Sequence, residues 1–545
     1  MLAKRGENPV VTKQKNALLS VYDKTGIVEF ARHLHELNWN IYSSGGTAKA
    51  LADADIPVTD VATLVGGSAI LGHRVVTLSR EIHAGLLARY IAEDEKEMQD
   101  LGLPYIDLVC FNLYPLAEEI AKSDATPESV IEKTDIGGPA ALNSGAKGYR
   151  IVIGDPSDYQ PVVDWLKDDQ PDKDSFIKAL AAKAYFTTSK YYLPAAKYHS
   201  EAKYEGMLGE RVENLKYGES PYLTPAAHYK VGDDADPLAL HNFELIEGDA
   251  RSFIGLTDAD CLLQGLTHIA AGFEKNFGKV PLMAMGVKHG NACGAAIGDD
   301  PIKVIKQMIA GDKRALFGGV IMTNFPITRD VAAAMTELDP GDPPRLFDGV
   351  FAPAFDDDAP EMLKRFQGKC RMMSNPALAH LTIDSLDHTT RRRQIRGGYL
   401  TQPNYTFVLD IAKSDVHGEP LNDQENRDLV MAWAIGCISN SNTITLVNNG
   451  QLIGNGVGQQ DRVGAAELAT KRAIDAGHRI KGSIAWSDSF FPAPDGPEVL
   501  GNAGVRAIFS SSGSKRDQES IDMCEKIGVT LLMQPDSEVR GFSKH

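Results

Sequence analysis

The chain has 545 residues, 43% of them apolar and 24% charged, with a formal net charge of −17 at pH 7. That length exceeds what one hydrophobic core holds, so two or more globular domains are expected. The acidic balance argues against general binding to nucleic acid or anionic membranes, and it requires any phosphate site to be a local gathering of Lys, Arg and helix N-termini.

The first sixteen residues are polar and no apolar run is long enough to cross a bilayer. This predicts neither signal peptide nor membrane span, and a cytosolic location. Ala17-Leu18-Leu19-Ser20-Val21 reads as a first strand, and a helix with Ile27, Phe30, Ala31 and Leu34 on one face follows Lys24-Thr25-Gly26. A second strand ends at Ser43, and Ser44-Gly45-Gly46-Thr47 leads into a helix over residues 48–54. Hydroxyls and glycines between a strand and a helix make a phosphate cradle of exposed N–H groups. A tight turn with a Thr cap fits the same residues, but Ser20-x-x-x-Lys24 at the preceding strand end favours the cradle. Ile106 to Phe111 is a buried strand ending in Asn112-Leu113-Tyr114-Pro115. Thr134-Asp135-Ile136-Gly137-Gly138-Pro139 opens a helix reaching Lys147, and Arg150 to Ile153 is another strand. This alternation predicts an α/β fold with a parallel, doubly wound sheet.

A long helix is expected over residues 172–199, then a polar, unpatterned stretch over 201–214 where the domain boundary falls, giving domains 1–200 and 201–545. Pro281 to Val287 reads as a buried strand ending in Lys288-His289-Gly290. Small residues follow, then a helix carrying Ile302, Ile305 and Ile309. Two titratable groups at a strand's carboxyl end mark a place where α/β folds build sites, with Gly290 and Gly294 allowing close approach of a ligand. The plainer reading is a solvated Lys beside a core His. Residues 316–320 and 347–353 read as strands. Arg391 to Gly398 is a basic cluster without interleaved aromatics, read as a structural turn. Asn449-Gly450 between two apolar runs signals a hairpin with a type I′ turn. The six cysteines (Cys110, Cys261, Cys293, Cys370, Cys437, Cys524) are scattered, which predicts reduced thiols and no metal site.

Several motifs together resemble one family. Ser-x-x-Asp-Lys-Thr-Gly (20–26), Ser-Gly-Gly-Thr (44–47), Asn-Leu-Tyr-Pro (112–115) and Asp-Ile-Gly-Gly-Pro (135–139) look like an IMP cyclohydrolase domain. Residues 288–294 resemble the Lys-His-x-x-Pro-Cys-Gly signature of AICAR transformylase, with Ala292 in place of proline. The resemblance to this bifunctional purine-biosynthesis family runs over nearly the whole chain. It implies a methylglyoxal-synthase-like N-terminal domain followed by a transformylase domain of two cytidine-deaminase-like subdomains. No His-x-Glu with Pro-Cys-x-x-Cys is present, so deaminase zinc chemistry is not expected.

The resemblance further implies formyl transfer from 10-formyltetrahydrofolate, as co-substrate, to AICAR, then dehydrative closure of formamido-AICAR to IMP. It also implies a homodimer with transformylase sites completed across the interface. For formyl transfer it assigns chemistry to Lys288, His289 and Asn442. Histidine titrates near neutrality and suits a proton acceptor, while lysine and asparagine suit an oxyanion. Nucleotide contacts carry over to Lys216, Tyr217, Asp348, Phe490, Asp495 and Arg540, although Lys216 stands for arginine and the family's terminal His-His is absent. For ring closure it assigns Tyr114, Asp135 and Lys147, with phosphate contacts from Ser20, Lys24, Ser44, Gly45, Gly46, Thr47, Arg74 and Thr77. One role does not carry over: Arg74-Val75-Val76-Thr77 has Val76 where the family has a catalytic lysine, and valine neither donates a proton nor holds an oxyanion. Asn143-Ser144-Gly145-Ala146-Lys147-Gly148 also departs from the family's Arg-x-Ala-Ala-Lys-Asn. The loss at Val76 motivates a second reading, a monofunctional transformylase keeping its first domain as a scaffold or nucleotide-binding module. A third is a non-catalytic nucleotide sensor, against which Lys288, His289 and Asn442 argue.

Overall fold

The computed structural model describes residues 14–72, 74–232, 235–337 and 345–541. The chain divides into two compact units, one up to Leu208 and one from Gly209. The expected boundary stands a few residues earlier, because part of the polar stretch around 201–214 is itself a strand.

In the first unit, β1 (Asn16–Leu19), β2 (Asn40–Ser43), β3 (Thr59–Asp60), β4 (Leu108–Cys110) and β5 (Ile151–Ile153) form a parallel sheet in the order β3-β2-β1-β4-β5. Alternate residues face opposite layers. Leu19, Cys110 and Ile153 pack on helices Ile27–Glu36 and Tyr159–Lys167. Leu18, Val109 and Val152 pack on helices Arg80–Leu87 and Gly137–Lys147, and on Ala181 and Ala184 of helix Lys173–His199. The face anticipated for the first helix is the buried one: Ile27, Phe30, Ala31 and Leu34. The next helix is Gly45–Ala52, so Gly45, Gly46 and Thr47 are its first turn rather than a loop before residue 48.

The second unit opens with the hairpin β6 (Gly209–Leu215) and β7 (Ala226–Val231). Its centre is a 12-stranded sheet built from β8 (Glu244–Glu247), β9 (Leu282–Lys288), β10 (Asn291–Gly298), β11 (Val320–Thr323), β12 (Gly349–Ala352) and β13 (Arg371–Ser374), and, beyond the hairpin β14 (Thr390–Ile395) and β15 (Gly398–Pro403), from β16 (Asp415–His417), β17 (Ile444–Asn448), β18 (Gln451–Gly456), β19 (Ile484–Ser487), β20 (Ala507–Ser512) and β21 (Thr530–Pro535). The order is β16-β21-β20-β19-β17-β18-β10-β9-β11-β12-β13-β8. Read from the centre outward the halves match: an antiparallel hairpin, three mutually parallel strands, and a short antiparallel edge. They meet at β10 and β18, where Ala296 pairs with Gln451. One face carries the long apolar helices Phe253–Phe277 and Asp423–Gly436 in a shared core. The other carries helix Pro301–Ala310 in one half and Arg462–Asp475 in the other.

Several expectations need correction. The helix expected after Lys288-His289 is present and starts at Pro301, but the small residues before it form a strand: the chain reverses at once into β10, on which helix Pro301–Ala310 lies close. Gly294 belongs to that packing, not to a ligand: a Cβ on it would stand 2.2 Å from Met308 O. Of the expected Ile302, Ile305 and Ile309, the last two are buried with Val304 and Met308, whereas Ile302, in the first turn, is exposed. Residues 316–319 are a helix end and a turn at Gly318 (φ +76°), and the strand starts only at Val320. The Arg391–Gly398 cluster is the exposed β14–β15 hairpin.

Candidate active sites of the two units

In the first unit, the ends of β1, β2 and β4 meet the start of helix Gly45–Ala52. Thr47 is buried, its Oγ1 accepting from Val21 N at 3.0 Å and donating to Val21 O at 3.1 Å. Lys24 Nζ donates to Tyr22 O at 2.9 Å, and a Cβ on Gly46 would lie 3.9 Å from that ammonium. Partial burial pushes the Lys24 amine below its ordinary range. Asn112 Oδ1 receives Asp23 N at 2.9 Å, and its amide donates to Asp23 O at 2.8 Å, which fixes the Tyr22–Lys24 loop. Ser20, Lys24, Ser44, Gly45, Gly46 and Thr47 thus gather at one end of the sheet. Ser44 caps the helix without a side-chain hydrogen bond, leaving its hydroxyl uncommitted to the cap.

A second cluster adjoins the start of helix Gly137–Lys147. Asp135 Oδ1 accepts from Gly138 N at 3.0 Å, and burial raises its carboxyl above the ordinary range against that pull. Asp135 N donates to Tyr191 Oη at 2.6 Å, and Tyr191 Oη donates to Lys133 O at 3.1 Å. Burial, with Asp135 nearby, pushes Tyr191 up to about 12 and raises Tyr114 and Tyr192 as well. The Tyr22 and Tyr114 rings meet edge to face at 5.1 Å, and Lys133 Nζ stands 5.4 Å and 6.0 Å from their centres. Arg74 pairs with Glu132 at 2.5 Å, and Thr77 Oγ1 would lie 3.2 Å from a Cβ on Gly137. Arg74, Thr77, Tyr114 and Asp135 therefore share one place. Lys147 does not join them. It is exposed at the far end of its helix, about 15 Å from the first turn at 1.5 Å rise per residue. Val76 is half-buried and packs on the apolar cluster of Leu18, Val61 and Ile82. Tyr22, Lys133 and Tyr191 were missed in the sequence, where nothing in their spacing separates them from surface residues of a helix or loop.

In the second unit the β9–β10 turn presents Lys288 and His289. His289 is exposed at φ +55° and Gly290 follows at φ +72°. Lys288 Nζ donates to Phe317 O at 2.6 Å, and a Cβ on Gly318 would stand 4.0 Å from that Nζ and 3.7 Å from Asp348 Oδ2. Arg365 pairs with Asp348 and donates to Phe347 O at 3.1 Å. Asn442 precedes β17, and its backbone N and Nδ2 both donate to Gln459 O, at 3.0 and 2.9 Å. The amide's second N–H stays available. Asp488 lies beneath it with its side chain fully buried, receiving Ser441 Oγ at 2.6 Å and Arg462 Nη2 at 2.9 Å. Burial raises the Asp488 carboxyl while Arg462 pulls it down.

Strand register places these groups together. β10 and β18 run antiparallel, and Asn455 Nδ2 reaches Ala292 O at 3.2 Å. Gly456 pairs with Ile444. Asn442 therefore stands at the same end of the sheet as the Lys288-His289 turn, two strand spacings from β10. A cavity of about 390 Å³ opens beside that turn, lined by Lys288, His289, Cys293, Asp312, Asn455 and Arg472. Of the proposed nucleotide contacts, Asp348 adjoins Lys288, whereas Lys216, 3.7 Å from Asp249, and half-buried Tyr217 follow the β6 strand. Phe490 lies 5.7 Å from the Arg540 guanidinium, which pairs with Asp536. Asp495 starts its own helix. Residues 542–545, where the altered C-terminus falls, lie outside the described residues, as do residues 1–13. No group of three metal-binding side chains occurs, and no helix is long and apolar enough to cross a membrane, among the described residues.

Comparison with known proteins adds two matches to families. The MGS-like domain matches residues 26–140, and the AICARFT/IMPCHase bienzyme matches residues 145–472. The chain is 34% identical over 526 residues to the bifunctional purine biosynthesis protein PurH of Staphylococcus carnosus (strain TM300), covering 95% of this chain and 98% of that protein. It is 34% identical over 544 residues to the protein of the same name from Oceanobacillus iheyensis, covering 97% and 100%. The protein of that name from Macrococcus caseolyticus (strain JCSC5402) is 34% identical over 538 residues, covering 97% and 100%.

Proposed function

The chain belongs to the AICARFT/IMPCHase bienzyme family, a bifunctional enzyme of purine biosynthesis, and from that premise we propose how its two sites divide the work. The monofunctional reading is not favoured, since likeness to bifunctional relatives extends over both units. Formyl transfer takes place at the β9–β10 turn, with 10-formyltetrahydrofolate as donor. The AICAR amine attacks the formyl carbon, and the amine proton passes to His289. The tetrahedral oxygen gains its charge between Lys288 and the free N–H of Asn442. Collapse breaks the bond to the folate nitrogen, which takes a proton from Lys288 or from protonated His289. Asp348 holds the nucleotide beside Lys288, and Lys216, Tyr217, Phe490, Asp495 and Arg540 complete its recognition in a homodimer, in the cytoplasm. The observation carrying this reading is the convergence of Lys288, His289 and Asn442 on one end of the sheet.

Ring closure takes place in the first unit. The strand-end group of Ser20, Lys24, Ser44, Gly45, Gly46 and Thr47, with Arg74 and Thr77, holds the phosphate of formamido-AICAR. The carboxamide nitrogen then attacks the formyl carbon of the same molecule, and water leaves. Asp135 takes the carboxamide nitrogen's proton while Tyr114 protonates the formyl oxygen. Asp135 then returns its proton to the resulting hydroxyl, which leaves as water, and the former formamido N–H proton restores Tyr114. Beside Tyr114, Lys133 brings the positive charge that Val76 lacks. The placement of Lys147 argues against its acting at the same atoms. Formyl transfer and ring closure assayed separately on the whole chain test this division. Transfer without any closure would remove the second activity.

A further inference from the structure

The second unit contains one local arrangement twice, and only one copy carries titratable groups at its tip. In the first half, β9 and β10 are joined by His289-Gly290, both left-handed at φ +55° and +72°, with Lys288 opposite Asn291. In the second half, β17 and β18 are joined by Asn449-Gly450, at φ +51° and +74°, with Asn448 opposite Gln451. Both are two-residue turns of the I′ kind. Each is gripped from beneath by an aspartate at the sixth position of a buried helix: Asp258 in Phe253–Phe277 and Asp428 in Asp423–Gly436. Asp258 Oδ1 accepts from Gly290 N at 2.7 Å. Asp428 Oδ1 accepts from Gly450 N at 2.7 Å, and its Oδ2 from Asn449 N at 2.7 Å. Both carboxyls are nearly inaccessible, with 4% and 2% of each residue exposed.

The copies differ in what the turn's own sequence contributes. Asn-Gly adopts the I′ turn readily, whereas the left-handed region is visited routinely by glycine and, through its short polar side chain, by asparagine rather than by histidine. The Asn449 turn is thus favoured by its residues as well as by its aspartate. The His289 turn relies more on the carboxylate beneath it. A hydrogen bond accepted by a carboxylate is among the stronger ones a buried backbone N–H makes, and it fixes the turn at the residue next to His289. Cys261, on the same helix, adds a contact from its Sγ to Gly290 O at 3.4 Å.

We propose that Asp258 is the positioning residue for formyl transfer, holding the His289-Gly290 turn so that His289 and Lys288 face the reacting atoms, while its duplicate Asp428 holds a turn without chemistry. This rests on the reading that His289 takes part in formyl transfer. The test compares Asp258→Asn and Asp258→Ala with Asp428→Asn and Asp428→Ala in the full chain. Formyl-transfer kcat and KM, ring closure and Tm are measured for each. Small misplacements of reacting groups cost up to about a hundredfold. Asp258→Ala is therefore expected to lower formyl-transfer kcat about ten- to a hundredfold with KM nearly unchanged, Asp258→Asn to restore part of it, and both Asp428 variants to stay within about twofold per folded molecule. Where an alanine variant does not fold, the asparagine pair decides by the same comparison. Equal kcat in the Asp258 and Asp428 variants, or losses that follow Tm in both, would overturn the proposal. His289→Ala runs alongside: an unchanged turnover there removes the underlying reading, whereas a large drop with no Asp258 effect removes only Asp258.

Discussion

The two units solve the problem of gathering charged groups in different ways. In the first, a parallel sheet brings loop after loop to one edge, and the groups arrive from five separate segments: Lys24, Thr47, Thr77, Tyr114 and Asp135. In the second, an antiparallel turn delivers Lys288 and His289 side by side, and neighbouring strands bring Asn442 to them. A site assembled from many loops tolerates a change in one member, since another loop can supply the charge. A site on one two-residue turn does not. On the proposed reading, the first unit has Val76 where the family resemblance implies a lysine, while the second has Lys288, His289 and Asn442 where it implies the reactive groups.

Two substitutions probe the rigid site. His289→Ala is expected to lower formyl-transfer turnover by about 10²–10⁴, the range for a positioned proton-transfer group, with an unaltered circular-dichroism spectrum and unaltered ring closure. Folded enzyme with turnover near that of the wild type removes His289 from the chemistry. Asn442→Ala should cost about 10²–10³ in kcat, as loss of one oxyanion donor does, with little change in KM. A loss confined to KM assigns Asn442 to ground-state binding instead.

How much of this was legible beforehand depended on the range of the interaction. Patterns within one element were readable: the buried face Ile27, Phe30, Ala31 and Leu34, the parallel sheet, and the Asn449-Gly450 turn all follow from local periodicity and turn chemistry. The direction of the chain after His289 was not. Residues 291–298 are small and weakly patterned, and what makes them a strand is helix Pro301–Ala310 lying on them, a tertiary effect. The separation of Lys147 from Asp135 was readable in principle, because Gly137 and Lys147 stand at opposite ends of an 11-residue helix. Motif likeness concealed it. Lys133 and Asp258 act through partners distant in sequence, and no local spacing marks them.

Asp135 distinguishes a group placed for stability from one placed for chemistry. Burial raises its folded-state pKa above the usual carboxylate value. A raised pKa contributes stability at low pH that is lost as pH rises through the folded value. Asp135→Asn should therefore raise Tm at about pH 8 and much less at about pH 4, while lowering ring closure at least about tenfold. Equal Tm shifts at both pH values would show that desolvation is not what raises Asp135. Retained ring closure would show that a neutral amide suffices there.

The smallest effect is expected at Val76, and it bears most directly on the tolerance of the multi-loop site. The Val76 side chain rests on the Leu18, Val61 and Ile82 cluster, so a lysine there must lead its ammonium out past an apolar floor and gives up part of that packing. Lys133 already stands over the Tyr22–Tyr114 pair. If that ammonium does the work, Val76→Lys raises ring closure by no more than a few-fold, and Lys133→Ala lowers it about tenfold. In the double variant, Val76→Lys then recovers most of what Lys133→Ala lost, so the two changes are strongly non-additive. Formyl transfer is the internal control and should not move in any of the three. Additive effects, with Lys133→Ala harmless and Val76→Lys strongly activating, would mean that no other loop has replaced the lost charge and that the first site is as intolerant of change as the second.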